Sequence, residues 1–165
     1  MLKKYPIFKI SLNILVILII FFSVKTFLQR DLVDGRVPPL AGVMLNGQNI
    51  DIENYQGKPL LLHFWATWCG ICKLEEKSVS SIAEDYQVLS VSMQSGGTHK
   101  VQSYLDERGV NFPVIVDEYG EIAKRFGVNR VPTSFIIDPQ GKIAFTEVGY
   151  TSDWGLRLRL WLADR

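Results

Sequence analysis

The sequence predicts an α/β domain whose central mixed sheet is covered by helices on both faces, preceded by one apolar helix. Three observations predict this fold class. Short apolar runs typical of buried strands alternate with segments of helical periodicity. The last two apolar runs flank a strong turn signal, which predicts an antiparallel hairpin at the end of the chain's sheet. The amino-terminal residues are almost wholly apolar over a membrane-spanning length.

Residues 7–28 are predicted to form a transmembrane signal anchor. The stretch Ile7–Val24 is apolar apart from one lysine, two serines and one asparagine. At about 1.5 Å per residue, its length approaches the roughly 30 Å hydrocarbon core of a bilayer. Lys3 and Lys4 precede it, so residues 1–6 are expected to stay in the cytoplasm while the rest of the chain is exported.

A cleaved signal peptide is the alternative interpretation of this segment. It is disfavoured because Phe22–Lys25 is a poor cleavage site and the apolar stretch is long for a signal peptide. Residues 29–39 are rich in charge and contain a glycine and two prolines, which predicts a linker. Residues 40–165 then remain, about 125 residues, enough for one domain with one core.

Turn residues and periodicity place the elements of this domain in order. Asn46-Gly47 is a turn signal that predicts an amino-terminal hairpin, Gly109 is expected to end a helix, and Asp138–Gly141 to turn the final hairpin. The predicted strands are Val43–Leu45, Ile50–Ile52, Leu60–Trp65, Val88–Ser92, Val114–Val116, Ser134–Ile137 and Ile143–Phe145. The predicted helices are Lys73–Tyr86, Lys100–Arg108, Glu118–Phe126 and Trp154–Leu162, the last with Leu156, Leu160 and Trp161 facing inward.

Both cysteines of the chain lie in the segment Trp68–Cys72 (WCGIC), separated by two residues. A lone pair at this spacing is a redox couple, a half-set of metal ligands or a chance arrangement, and a static disulfide that staples the turn is a further alternative. The pair falls between a predicted strand and a predicted helix. Cys69 is therefore expected at a helix N-terminus, where unpaired N–H groups and the helix dipole stabilise a thiolate. We interpret Cys69 as an exposed attacking thiolate and Cys72, one turn deeper, as the more buried resolving thiol.

Two segments carry a resemblance to a known family. His63–Lys73 (HFWATWCGICK) resembles the active-site segment of thioredoxin, and Phe126–Thr133 (FGVNRVPT) resembles the thioredoxin segment whose proline is cis and faces the disulfide. Over Val37–Leu162 the chain is similar to the thioredoxin superfamily, most of all to membrane-anchored TlpA/ResA-like proteins and the ScsD type of copper-sensitivity suppressor. The resemblance implies a thioredoxin-like fold, with the amino-terminal hairpin as an extension, and a cis bond before Pro132.

The resemblance also implies a function and a location. It indicates a thiol–disulfide oxidoreductase that reduces protein disulfides through Cys69 and Cys72. The catalytic domain would lie in the periplasm, held to the lipid of the bacterial inner membrane by a single-pass helix. Electrons would arrive from a membrane thiol donor of the DsbD, CcdA or ScsB type, and the substrates would be protein disulfides or thiols, cytochrome c apoproteins among them. A net oxidant or a copper-stress exchange protein, which would link the chain to copper tolerance, stays open because no residue pattern sets the reduction potential.

Two further residues are candidates for the catalytic machinery. His63 stands where thioredoxin has a buried aspartate that manages the proton of the resolving thiol; a buried imidazole prefers to be neutral and could accept that proton from Cys72. The alternative is a hydrogen-bonded strand histidine with a structural role. ResA-like proteins carry a glutamate at the position of Glu75, where a raised pKa would make a carboxylate a base for Cys72. The alternative for Glu75 is a solvated helix residue.

The resemblance also suggests which residues meet the substrate. Trp68, Gly70 and Ile71 surround the cysteine pair, with Gly-Ile in place of the Gly-Pro of thioredoxin. Val131 and Thr133 flank the proline of the second segment. The backbone of Thr133 is expected to hydrogen-bond an extended substrate strand beside the disulfide.

Composition argues against other classes of protein. The net charge is +1 and no basic cluster lies outside the flanks of the anchor, so no nucleic-acid partner is expected. A structural zinc site needs four ligands, whereas the two cysteines are accompanied by two histidines at unrelated positions, so we expect no metal and no cofactor. If the chain is not an enzyme, the alternative is a metal-binding module that uses the two cysteines. A peroxidase is disfavoured because Trp65–Trp68 does not place a proline and a threonine ahead of Cys69 as that chemistry requires.

Overall fold

The computed structural model describes residues 5–165, with side chains from residue 9 onward. Lys3 and Lys4, the charges predicted to keep the amino terminus in the cytoplasm, lie outside the described residues. The chain divides into two compact units, Met1–Asp31 and Leu32–Arg165.

The first unit is one helix, α1 (Tyr5–Gln29), about 37 Å long at the usual rise per residue. Its segment Lys9–Gln29 has a mean hydropathy of 2.3 and contains no buried residue. The helix is therefore long and apolar enough to cross a membrane, as an anchor or as a signal sequence.

Among the described residues, the second unit contains seven strands, four α-helices and a short 3₁₀ helix. In chain order they are β1 (Ala41–Val43), β2 (Asn49–Asp51), the 3₁₀ helix (Ile52–Tyr55), β3 (Leu60–Trp65), α2 (Cys72–Asp85), β4 (Gln87–Met93), α3 (Thr98–Arg108), β5 (Val114–Asp117), α4 (Glu121–Arg125), β6 (Thr133–Ile137), β7 (Ile143–Val148) and α5 (Asp153–Ala163).

Five strands form one sheet in the order β5-β4-β3-β6-β7. Strands β3, β4 and β5 run parallel, whereas β6 and β7 are antiparallel to their neighbours. The predicted mixed sheet is thus confirmed. All six residues of β3 are buried, as expected for a central strand with neighbours on both sides and helices on both faces.

Side chains from alternate positions of β3 enter two different cores. Leu61 and Trp65 pack with residues of α2, α3 and α5 on one face of the sheet. Leu60, Leu62 and Phe64 pack with α4, β2 and the 3₁₀ helix on the other face. The sheet therefore lies between two apolar layers, and the cysteines belong to the first of them.

The first strand of the predicted hairpin lies two residues earlier than expected and the second one residue earlier, with Ala41 opposite Asp51 and Val43 opposite Asn49. The reason is that the carboxylate of Asp51 accepts the N–H of Glu53 and starts the 3₁₀ helix there. Leu45, predicted as a strand residue, instead donates its N–H to the carbonyl of Val114 at 2.8 Å and covers the edge of β5.

Helix α4 begins three residues later than predicted. Gly120 has a positive φ of 77°, so residues 118–120 form a turn rather than the first helical turn. The buried carboxylate of Asp117 accepts the N–H groups of Ile122 and Ala123. Asp117 thus supplies hydrogen-bond acceptors for N–H groups that have no partner within the helix.

The carboxy-terminal helix α5 buries two of the three residues that were predicted to face inward. Leu156 and Leu160 are buried as expected, but Trp161 is 46% exposed, so its predicted inward position is wrong. Ala163 completes the buried face instead. Consecutive residues of a helix are about 100° apart, so Trp161 cannot share the face of Leu160.

The segment that leads into the domain, predicted as a linker, hydrogen-bonds to it at several points. Val33 donates its N–H to the carbonyl of Phe126 at 3.2 Å, and Val37 donates to Gly141 at 3.0 Å. The N–H of Ile143 donates to the carbonyl of Gly35 at 2.7 Å. The segment therefore first contacts the domain just after α4 and then lies beside the turn that joins β6 to β7.

Candidate active site

Cys69 and Cys72 form a disulfide bond at the point where β3 passes into α2. Because β3 is the middle strand of the sheet, the pair lies at the carboxyl end of the parallel strands, where open α/β sheets place their functional groups. Cys72 is the first residue of α2, and Cys69 precedes it in the connecting turn.

The start of α2 stabilises negative charge on Cys69. Its Sγ accepts the backbone N–H of Cys72 at 3.1 Å. An N–H at a helix N-terminus, aided by the helix dipole, lowers the energy of a thiolate relative to a thiol. Cys69 is 6% and Cys72 3% exposed, so the predicted exposure of Cys69 is wrong, and Cys72 is only slightly the more buried of the two.

The second predicted segment lies beside the disulfide. The Val131–Pro132 peptide bond is cis. The carbonyl oxygen of Val131 is 3.6 Å from the Sγ of Cys69. Thr133 begins β6 and pairs with Phe64 on one side and with Val148 on the other, whereas Val131 lies outside the strand. Val131 is thus the backbone position that the structure brings next to the sulfur.

An exposed apolar surface surrounds the cysteine pair. Trp68 is 60% exposed, and Ile71 and Leu74 are also exposed. A side chain added at Gly70 would meet no atom within 4 Å, so that position faces open space. Three predicted substrate-binding residues, Trp68, Gly70 and Ile71, therefore lie together around the disulfide.

The loop after β4 holds Trp68 in place. The indole N–H of Trp68 donates to the carbonyl of Gln94 at 3.0 Å. Gln94 has a φ of 48°, the left-handed region that non-glycine residues seldom occupy. Next to it, the hydroxyl of Ser95 accepts the N–H of Thr67 at 3.0 Å. Sequence analysis missed Gln94 and Ser95, because no local pattern distinguishes them from other loop residues.

His63 is buried in β3, on the same face of the sheet as Trp65 and the cysteine core. Its Nδ1 is 2.9 Å from the hydroxyl of Ser134, the residue opposite it on β6. Burial lowers the pKa of His63 to about 4, because the charged imidazolium would lose its hydration. The imidazole is therefore neutral at neutral pH, as predicted from the sequence.

Glu75 is a buried carboxylate in the first turn of α2, one turn beyond Cys72. Its Oε1 accepts the backbone N–H of Thr151, which precedes α5. Its Oε2 is buried without a hydrogen-bond partner. Burial raises the pKa of Glu75 to about 7, and the bond from Thr151 only partly opposes this. The alternative for Glu75, a solvated side chain, is therefore excluded.

The neighbouring carboxylate, Glu76, has full partners. It accepts the hydroxyl of Tyr104 at 2.9 Å and the Nε of Arg108 at 2.6 Å. Glu76 is therefore a structural link between α2 and α3, and Glu75 is the carboxylate of α2 that remains incompletely bonded beside the cysteines. Within residues 5–165, no cluster of three or more histidine, cysteine or acidic side chains could hold a metal ion.

The chain is similar to thiol–disulfide proteins over most of its length. Residues 33–146 match the AhpC/TSA family. A thioredoxin-like protein of Haemophilus influenzae is 34% identical over 164 residues, which cover 98% of this chain and 98% of the relative. A thiol-disulfide oxidoreductase ResA of Bacillus thuringiensis subsp. konkukian is 34% identical over 103 residues, or 60% of each chain.

The three-dimensional likeness agrees with the sequence likeness. A Chlorobium tepidum protein assigned as the thiol:disulfide interchange protein DsbE superposes with a TM-score of 0.72 and 27% identity, over 80% of this chain and 98% of that one. The predicted thioredoxin-like fold and the predicted similarity to ResA-like proteins are both confirmed.

Glu75 and His63 should affect the pH dependence of stability in opposite directions. Glu75 has a pKa of about 7 when folded against 4.5 in the unfolded chain, so the folded state holds its proton more tightly. Relative to wild type, Glu75→Gln should therefore gain stability as the pH rises from 4.5 to 7. His63 has a pKa of about 4 when folded against 6.5 unfolded, so His63→Gln should gain relative stability as the pH falls from 6.5 to 4.

Urea unfolding of the oxidised full chain in detergent, repeated across this pH range, measures both effects. Each difference should approach a slope of at most about 1.4 kcal/mol per pH unit, the value for one proton. Glu84→Gln, an exposed position near the other end of α2, is the matched control and should give no slope. Curves for Glu75→Gln and wild type that run parallel would show that Glu75 ionises normally.

Proposed function

The chain belongs to the AhpC/TSA family of thioredoxin-like proteins and is a thiol–disulfide oxidoreductase; we propose that it is a membrane-tethered reductase of protein disulfides that acts outside the cytoplasm. The observation that carries the proposal is a cysteine pair at a helix N-terminus with an incompletely bonded, buried carboxylate one turn away. The chain has no other cysteine, so the pair is the whole of its thiol chemistry.

The reaction begins with the reduced pair. The Cys69 thiolate, stabilised by the N–H of Cys72, attacks one sulfur of a substrate disulfide. A bond forms between the Sγ of Cys69 and that sulfur, the substrate S–S bond breaks, and the other substrate sulfur leaves as a thiolate. The product of this step is a mixed disulfide on Cys69.

Resolution of the mixed disulfide needs Cys72 without its proton. Cys72 and Glu75 are three residues apart on α2 and so share a face of the helix. We propose that Glu75 takes the thiol proton, and that the Cys72 sulfur then attacks the Sγ of Cys69. The second substrate sulfur leaves, two electrons have passed to the substrate, and Cys69 and Cys72 are left as the disulfide. A base with a pKa of about 7 is suited to this transfer near neutral pH.

His63 is proposed to act by position rather than by titration. Its neutral imidazole puts no charge under the cysteine core, and its contact with Ser134 links β3 to the strand that follows Pro132. This contact would thereby fix the positions of the two segments that approach the sulfurs, one after β3 and one before β6, relative to each other.

Substrate binding is assigned to the surface around the disulfide. Trp68 and Ile71 would supply apolar contact, and Gly70 leaves room for a chain to approach. The backbone of Val131, just before the cis proline, would bond an extended substrate segment, whereas Thr133, predicted for this contact, is already paired with strands on both sides. The substrates would be protein disulfides, including those of cytochrome c apoproteins.

The cellular setting is also a proposal. Helix α1 would be a single-pass anchor in a bacterial inner membrane, with the domain in the periplasm. A membrane thiol donor of the DsbD, CcdA or ScsB type would return electrons to the pair. The likeness to ResA, a protein named as a thiol-disulfide oxidoreductase, supports the thiol–disulfide exchange in this setting. A ScsD-type role in copper tolerance is the narrower form of the same proposal.

Substitution of one cysteine should separate the two chemical steps. Cys72→Ser should form a mixed disulfide with oxidised insulin and fail to release it, whereas Cys69→Ser should form none. Non-reducing electrophoresis measures the adduct. An adduct in both variants would contradict the assignment of Cys69 as the attacking sulfur.

Peroxide consumption and metal stoichiometry of wild type test the peroxidase and metal-binding alternatives.

The direction of electron flow should be visible in the reduction potential. We expect a value near or below about −250 mV in glutathione and dithiothreitol buffers, the reducing end of the thioredoxin range, whereas a value near about −120 mV would indicate a net oxidant.

The reduction potential of His63→Ala tests the positioning role of His63. If its potential, thiol pKa and exchange rate all equal those of wild type, His63 is only a structural residue.

The rate of resolution should depend on the ionisation of Glu75. In wild type it should rise with pH through about 7, because the carboxylate accepts a proton only when ionised. Glu75→Gln should be slower by roughly 10²-fold at neutral pH, and its profile should lack that step. Stopped-flow measurement of substrate release checks both, with Glu84→Gln as the control. A profile unchanged in Glu75→Gln would remove the proposed base.

A further inference from the structure

The turn that carries the first cysteine is bonded to the segment that follows β4. We call residues 66–70 the active-site turn. The hydroxyl of Ser95 accepts the backbone N–H of Thr67 at 3.0 Å. The carbonyl of Gln94 accepts the indole N–H of Trp68, also at 3.0 Å. Two consecutive residues after β4 thus bond two consecutive residues of the active-site turn, directly before the cysteine.

The hydroxyl of Ser95 has a fixed orientation. Ser95 is 1% exposed, and its hydroxyl donates to the carbonyl of Met93 at 3.1 Å. A hydroxyl has one donor and two acceptor positions, so this bond leaves a lone pair for the N–H of Thr67. The end of β4 therefore determines where Thr67 lies.

The segment after β4 is itself fixed by the neighbouring turn after β5. Gln94 has a φ of 48°, a conformation that non-glycine residues keep only where the surrounding structure imposes it. Its N–H donates to the carbonyl of Asp117 at 2.8 Å. Its side chain packs on Gly120, where an added Cβ would lie 3.2 Å from the Nε2 of Gln94. Gln94 and Ser95 therefore form a rigid support for the active-site turn.

This support matters most when the cysteines are reduced. In the oxidised protein, the bond between Cys69 and Cys72 ties the active-site turn to α2. In the reduced protein that covalent link is absent, and hydrogen bonds have to keep the two sulfurs close together. A turn that moves less before the disulfide forms loses less conformational entropy when it does form. Support of the turn therefore favours the disulfide over the two thiols and lowers the reduction potential.

We propose that Ser95 is a positioning residue that stabilises the disulfide of Cys69 and Cys72 relative to the dithiol. It acts through the N–H of Thr67 rather than through a bond to either sulfur. The inference concerns the cysteine couple itself, so it applies to either direction of electron flow.

Loss of the hydroxyl should affect the two redox forms unequally. Without it, the N–H of Thr67 and the carbonyl of Met93 each lose a partner. In the oxidised protein the disulfide prevents the active-site turn from moving toward water, so the N–H stays unbonded, which is costly. In the reduced protein the turn can move, and Thr67 is already partly exposed. The oxidised form should therefore lose more stability than the reduced form.

The equilibrium of the full chain with glutathione, measured in detergent, tests the proposal. In this exchange the cysteine pair gives two electrons and two thiol hydrogens to glutathione disulfide, which becomes two glutathione thiols as the S–S bond of the chain forms. For Ser95→Ala we expect the equilibrium constant of disulfide formation to fall about tenfold, which makes the reduction potential about 30 mV less negative. Alkylation of the remaining thiols and mass spectrometry measure the oxidised fraction.

Two variants are the controls. Ser92→Ala also removes the hydroxyl of a buried serine, but that hydroxyl is directed to the carbonyl of Ile115 on β5 at 3.5 Å. Its equilibrium constant should equal that of wild type. Ser95→Thr keeps a hydroxyl at the proposed position and should have an equilibrium constant near that of wild type.

Urea unfolding of both redox forms separates positioning from a general structural role. The unfolded chains of wild type and Ser95→Ala have the same cysteine pair, so the extra loss of stability in the oxidised form must match the shift in the glutathione equilibrium. A tenfold shift corresponds to about 1.4 kcal/mol. Equal destabilisation of the oxidised and reduced forms, with an unchanged equilibrium constant, would overturn the proposal.

A second pair of variants tests the same bond from the donor side. Cys69 donates its N–H to the carbonyl of Ala66, so Thr67 is the second residue of a β-turn, a position that favours proline. Thr67→Pro removes the N–H that Ser95 accepts. Adding Ser95→Ala to Thr67→Pro should therefore leave the equilibrium constant of Thr67→Pro unchanged. A further tenfold fall in this double variant would show that Ser95 does not act through Thr67, and the proposal would fail.

Discussion

The site depends on the complete burial of β3 between two partner strands. Because β4 pairs with it in parallel and β6 in antiparallel fashion, β3 has no free edge and no exposed face. Its end therefore delivers Cys69 to a defined place. The antiparallel partner β6 starts beside that same end, so the Val131–Pro132 segment reaches the sulfur without a long loop. Pairing of these strands brings together two parts of the chain that carry the chemistry.

Burial also separates two adjacent carboxylates into different roles. Glu76 points toward Arg108 and Tyr104 and is fully bonded, whereas Glu75 has one backbone donor and an oxygen without a partner. A carboxylate that loses hydration without a compensating cation ionises less readily, which brings its pKa into the range useful for proton transfer. The same helix thus holds one carboxylate for structure and one suited to catalysis.

The carboxy-terminal helix joins the two ends of the domain. Thr151, just before it, bonds Glu75 near the disulfide, and Asp164, just after it, lines a hollow with Gly57–Pro59 at the start of β3.

Local patterns in the sequence determined the order of strands and helices, the position of the cysteine pair at a helix start and the apolar helix α1. These features depend on residues within about one or two turns of each other, so periodicity and turn residues are sufficient to predict them. The tertiary structure alone decided the state of Glu75, the partner of His63, the support of Trp68 by Gln94 and the outward position of Trp161. Glu75 and Thr151 are 76 residues apart, and His63 and Ser134 are 71 apart. Burial and pairing between such distant residues exist only once the sheet has formed, and these set the pKa values and orientations on which the chemistry depends.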